Sequence, residues 1–193
     1  MNDNLKKISY QEYLKYNIDK NSDAKKRSAL NQSKLRKIKW FIEKFKALGF
    51  NYRDKSSLCL GARMGEEVEA LIELGSKAIG TDLVPNPPLV IEGDMNYLKF
   101  ENEFDFVYTN SFDHVYYIDL WAEGVKKSLK YGGILILNVY PSVFNFEKEV
   151  VYNETEEDAV EIIKRYLTLD GIRKTNQWFK EYKEKIYIFK KEL

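Results

Sequence analysis

One cysteine, Cys59, and one histidine, His114, are all that the 193 residues provide of either type. A lone thiol excludes an internal disulfide framework. With so little cysteine and histidine there is no material for a Cys/His zinc site, so no metal is expected. The sequence has no apolar run of 18 residues and no signal-peptide pattern at its start. Those absences argue against a membrane-spanning helix and point to a reducing, cytoplasmic setting. An excess of one charge is missing too, since the whole chain is +1. That balance hides an asymmetry. Residues 1–50 hold 13 Lys and Arg against 5 Asp and Glu, a net of +8, which leaves −7 on residues 51–193. Such a segment is read either as a solvated lysine-rich face or as a landing site for an anionic partner such as RNA. What is present is ordinary for a globular domain with a real core: 44% hydrophobic and 32% charged residues, with 14 Tyr and 11 Phe.

Residues 1–49 read as a helical extension, a possible lid, ahead of a domain spanning 50–193. Ser9-Tyr10-Gln11-Glu12 has the capping-box pattern, a hydroxyl at the N-cap with a carboxylate three residues on. Tyr10, Tyr13, Leu14 and Ile18 then form a short apolar stripe. The polar residues 21–28 read as a loop or a frayed end. A stronger helix follows, with Leu35, Ile38, Phe41, Ile42, Phe45 and Leu48 on one face, Lys34, Lys37 and Lys44 on the other, and Gly49 at its end.

From residue 57 onward apolar runs alternate with helical patterns. Strands are expected at 57–60, 78–81, 89–91, 104–109 and 134–139, and helices with Val68, Leu71, Ile72 and Leu74 inward and then with Leu120, Trp121, Val125 and Leu129 inward. Tyr131-Gly132-Gly133 reads as the turn into the fifth strand. Residues 156–167 form a further amphipathic helix capped by Thr155, and 171–179 with 185–190 read as a hairpin. Alternation of this kind implies a doubly wound, mostly parallel α/β sheet with an antiparallel pair at one edge.

The stretch 56–82 carries the first chemical signal. It runs strand, glycine turn, helix, strand and then acid, the order of a nucleotide-binding βαβ unit. Gly61 and Gly65 allow a tight turn and close approach of backbone to ligand, and Asp82 sits where a carboxylate can accept the hydroxyls of a ribose.

Five ordered segments together resemble class I S-adenosylmethionine-dependent methyltransferases: LCLGARMG (58–65), AIGTDLVP (78–85), VIEGDMNYLKF (90–100), FDFVYTNSFDHV (104–115) and SLKYGGILIL (128–137). The resemblance covers about residues 50–193. It implies a Rossmann-like seven-stranded sheet of order 3-2-1-4-5-7-6, S-adenosylmethionine as cofactor and S-adenosylhomocysteine as product. It also implies cofactor contacts from Gly61, Ala62, Arg63 and Gly65 in the turn, from Asp82 and Leu83 at the ribose, from Asp94 and Met95 at the adenine, and from Asn110 and Ser111 below the methyl. Two positions depart from the pattern: Cys59 stands where the family often has an acid, and Arg63 where it has a glycine.

His114 is expected close to the methyl acceptor, where a neutral imidazole takes a proton from a hydroxyl. Its alternative is a structural histidine bonding a loop carbonyl. Asp113 either orients it or is a turn residue, and Asp105 reads as an anchor for its own strand. The acceptor is expected to be a small or medium-sized nucleophile, an oxygen being favoured, bound between the N-terminal helices, the loop past residue 109 and the aromatic segment 140–152. A polyanion such as RNA, or cofactor binding without catalysis, are the alternatives.

Overall fold

A computed structural model describes residues 9–139, 155–175 and 184–192. The chain starts with α1 (Tyr10–Ser22) and α2 (Ala24–Leu48), then alternates β1 (Ser56–Leu60), α3 (Glu66–Glu73), β2 (Lys77–Asp82), β3 (Val90–Glu92), β4 (Phe104–Thr109), α4 (Ile118–Ser128) and β5 (Leu129–Val139). It closes with α5 (Glu156–Lys164), β6 (Thr168–Thr175) and β7 (Glu184–Lys190). The strands make one seven-stranded sheet of order β3-β2-β1-β4-β5-β7-β6. β1 to β5 are parallel, and β7 runs antiparallel to both β5 and β6.

Alternation along the strands builds two cores, one on each face of the sheet. Leu58, Leu60, Val107, Leu135 and Leu137 point to the α4/α5 side, where Trp121, Val125 and Ile163 meet them. Cys59, Phe106, Tyr108 and Ile136 point to the other side, under Phe41, Phe45 and Leu48 of α2 and Val68 and Leu71 of α3. Both faces being covered explains why the central strands read as continuous apolar runs. Asp105 anchors β4: its carboxylate accepts from the Ser56 N–H and hydroxyl at 2.9 and 2.8 Å and from Lys130 at 2.9 Å. Partial burial raises its pKa, but those donors outweigh it and hold the group well below the usual carboxylate range.

Several expectations need correction. Residues 21–28 are helical rather than a loop; only Asp23 interrupts α1 and α2, because Ala24, Lys25, Lys26 and Arg27 are good helix formers. On α2, Lys39 and Lys46 are exposed, but the three lysines expected on the outer face are paired or buried. Lys34 and Lys37 reach Glu69 and Glu66 of α3 at 2.5 and 3.0 Å, and Lys44 is buried. Leu35, expected inward, is 76% exposed, because the contact with α3 is made by the neighbouring lysine rows. Ile18, Ile72 and Leu120 are likewise exposed. Gly132 and Gly133 lie inside β5, whose register against β4 shifts between Phe104 and Phe106. β6 starts at Thr168, three residues before the expected run. The segment 140–152, expected to wall the acceptor site, lies outside the described residues. Among those that are described, no helix is long and apolar enough to cross a membrane.

Candidate cofactor and acceptor site

The carboxyl ends of β1, β2 and β4, with the loop after β3, surround one cleft, and α1 lies across it. Its empty space, counted to the open solvent, is about 450 Å³. The floor is made chiefly by main chain. The N–H groups of Gly61 and Ala62 donate to Thr81 O at 2.9 and 3.0 Å, which folds the turn back onto β2. Gly61 and Gly65 have φ of +70° and +79°, and Gly65 is the residue from which α3 starts. A Cβ on Gly61 would stand 2.7 Å from the Ser111 Cβ and 2.9 Å from the Met95 Cε. The turn therefore has no room for a side chain at Gly61, over which Ser111 and Met95 close, and spends its own donors inside the protein. Arg63 also adopts a left-handed φ, +41°, and its N–H donates to Asp82 Oδ2 at 2.9 Å.

Asp82 ends β2 at the edge of the cleft. Its Oδ1 accepts the Val84 N–H at 2.8 Å, so each oxygen holds one backbone donor. A carboxylate has about four acceptor sites, which leaves one on each oxygen, the arrangement that a pair of vicinal hydroxyls completes. Burial raises its pKa, opposed by the Val84 and Arg63 N–H groups and by the charge of Arg63. Asp94 lies in the loop past β3. Its Oδ1 accepts from the N–H and side-chain amide of Asn96 at 2.9 and 3.0 Å, and its Oδ2 accepts the phenol of Tyr10.

Of the cofactor residues expected from the sequence, Gly61, Arg63, Asp82, Leu83, Asp94, Met95 and Ser111 line the cleft. Ala62, Gly65 and Asn110 do not. Ala62 is buried beneath the turn, Gly65 starts α3, and Asn110 meets Ser111, whose hydroxyl lies 3.4 Å from both Asn110 Oδ1 and Gly61 O. His114 lines the cleft at the end of a single 3-10 turn, Phe112–His114. Asp113, in the same turn, does not line it; its Oδ2 lies 3.5 Å from His114 Nε2.

Sequence reasoning missed three residues here. Asn17 and Asn21 line the cleft from above, beside Tyr13 of the helix read as a possible lid. Asn96, 1% exposed, donates to Asp94 and accepts the N–H groups of Tyr116 and Tyr117 at 2.7 and 3.2 Å, tying the loop past β3 to the loop past β4. A single asparagine carries no pattern that could have announced that role. Beneath the turn, Glu67 is buried beside Cys59. Burial pushes its carboxyl up to about 8, against the pull of its own backbone N–H and of Arg63.

No protein-family model matches the chain, and no curated protein is detectably similar to it in sequence. Solved structures are similar in fold. A TehB-like S-adenosylmethionine-dependent methyltransferase from Corynebacterium glutamicum superposes with a TM-score of 0.61 at 16% identity, over 79% of this chain and 87% of that one. Phosphoethanolamine N-methyltransferase 2 of Haemonchus contortus, solved with S-adenosyl-L-methionine, gives 0.66 at 17% identity over 80% and 53%. An S-adenosylmethionine-dependent methyltransferase from Mesorhizobium loti gives 0.61 at 12% identity over 75% and 94%. With the sheet order, these matches define the fold as that of class I S-adenosylmethionine-dependent methyltransferases.

Proposed function

We propose that the chain is an S-adenosylmethionine-dependent methyltransferase acting on a small or medium-sized nucleophile. The observation that carries this reading is the meeting of Gly61, Asp82 and Asp94 along one cleft floor: a glycine turn, a carboxylate with one open acceptor site on each oxygen, and a second carboxylate beyond it. That floor suits a nucleoside without phosphates. Among the described residues that line the cleft, Arg63 is the one Lys or Arg, which is little positive charge for a pyrophosphate. When bound, the cofactor supplies a methyl group already activated on a sulfonium. What is left to the protein is alignment and exclusion of water, both of which α1 and the loop past β4 serve by lying over the cleft.

His114 lines the cleft, which supports an oxygen acceptor whose hydroxyl proton its imidazole takes up. Support for an RNA acceptor from the basic N-terminal segment is reduced by three of its thirteen basic residues, Lys34, Lys37 and Lys44, which are engaged with glutamates of the same chain.

Calorimetry with S-adenosylmethionine and S-adenosylhomocysteine tests the reading. Binding is expected in the micromolar range, and Asp82→Ala should weaken it by roughly 100-fold, the cost of leaving two hydroxyls without a charged acceptor. No binding at millimolar ligand would end the proposal. A pH–rate profile left unchanged by His114→Ala would remove the oxygen-acceptor part alone.

A further inference from the structure

α1 is attached to the rest of the protein through its own side chains. Tyr10 donates its phenol to Asp94, Tyr13 donates its phenol to the carbonyl of His114, and Asn17 braces the helix by donating to Tyr13 O at 3.0 Å. The Tyr10 ring packs against Tyr97, Tyr116 and Tyr117, with centroids at 5.6, 5.1 and 5.5 Å. Two loops of the cleft, past β3 and past β4, are thus gripped from one helix. The connection behind that helix is minimal. Asp23 alone separates α1 from α2, and its backbone is extended, with φ −61° and ψ 116°. On the far side of it the chain is held fast, because Arg27 donates to the carbonyls of Val84 and Pro85 at 3.2 and 3.1 Å and the later turns of α2 are in the core.

The contact at Asp94 is of a particular kind. Asn96 holds Oδ1 with two donors, so Oδ2 is the oxygen left for a ligand seated along Gly61 and Asp82, and Tyr10 holds it. We infer that Tyr10 is a latch that competes with a ligand donor at Asp94: α1 closes the ligand-free cleft with the phenol on one of the two acceptor sites of Oδ2, and a nucleoside that takes that site displaces the phenol by swinging α1 about Asp23. The inference rests on the cofactor reading above and adds to it a self-competing closed state. The apparent affinity for a ligand falls in proportion to the fraction of molecules already open.

Tyr10→Phe keeps the ring packing and removes only the competing donor. Calorimetry with S-adenosylhomocysteine should therefore show binding about tenfold tighter than in the unmodified protein, the factor expected for loss of one hydrogen bond to a charged acceptor. In the ligand-free variant, amide hydrogen exchange along α1 should speed up while exchange in α2 stays unchanged. Equal or weaker binding by Tyr10→Phe would overturn the latch and leave the cofactor reading standing. The same tightening by Tyr13→Phe would show that Asp94 is not the contested group, and would also overturn it. Absence of binding by every form would defeat the cofactor reading and this inference with it.

Discussion

α1 and α2 are both lysine-bearing helices with tyrosine, phenylalanine or isoleucine at three- and four-residue spacing, and a single residue joins them. They are held by opposite means. α2 is embedded: Phe41, Phe45 and Leu48 are in the core, and the ammonium of Lys44 meets Glu184 at 2.6 Å and the Tyr108 hydroxyl at 3.2 Å, 4.7 Å from the centre of the Trp40 ring. α1 lies on loops and is fastened by phenols, with Tyr16 and Ile18 facing solvent. Periodicity thus tells which way a helix turns its apolar side. It does not tell whether that side meets a sheet or the rim of a binding site, and the two outcomes differ in how much free energy holds the helix down.

The comparison can be broken most sharply at Lys44. Desolvation lowers its pKa to about 8, against the pull of Glu184. Lys44→Met leaves the Glu184 carboxylate buried without its ammonium and should cost about 3–5 kcal/mol, most of it recovered in Lys44→Met/Glu184→Leu. Denaturant unfolding checks both; a loss below about 1 kcal/mol in the single variant would mean that α2 does not depend on the pair.

Glu67 is a smaller lever in the same layer. Its carboxyl, raised by burial from 4.5 to about 8, keeps in the folded state a proton that the unfolded chain releases. Its contribution to folding stability should therefore be full below about pH 4.5, fall as pH rises through the window to about 8, and be gone above it. Glu67→Gln should flatten that slope and stand ahead of the unmodified protein by an order of a few kcal/mol at pH 8. Parallel stability curves for the two proteins would refute the assignment.

The smallest effect belongs to α1. Ser9→Ala removes the cap that accepts the Glu12 N–H and should cost about 1 kcal/mol. The loss should appear as faster exchange confined to α1, with the global unfolding midpoint unmoved. A midpoint that moves as well would place α1 on the same footing as α2.

Most of the fold was legible because it depends on local patterns. Apolar runs of the right length gave β1, β2, β4 and β5 to within a few residues, and the capping box at Ser9 and the cap at Thr155 are in place. The cleft floor was legible for the same reason, since Gly61 and Asp82 act through the turn and strand end they sit on. The rest depends on partners that are distant along the chain. Lys44 looked solvated because nothing near it in sequence reveals Glu184, 140 residues on. Asn96 is one polar residue among many until the folded chain brings Tyr116 and Tyr117 to its carbonyl oxygen. Tyr10 read as part of an apolar stripe, yet its hydroxyl, not its ring, makes the contact with Asp94.

The crowding around Gly61 has a consequence for how relatives of this chain can diverge. A side chain at that position would enter space held by Ser111 and Met95, which come from two other loops. Drift at one of these three positions is tolerated only if the others change with it, so in any future set of homologues residues 61, 95 and 111 should vary as a group.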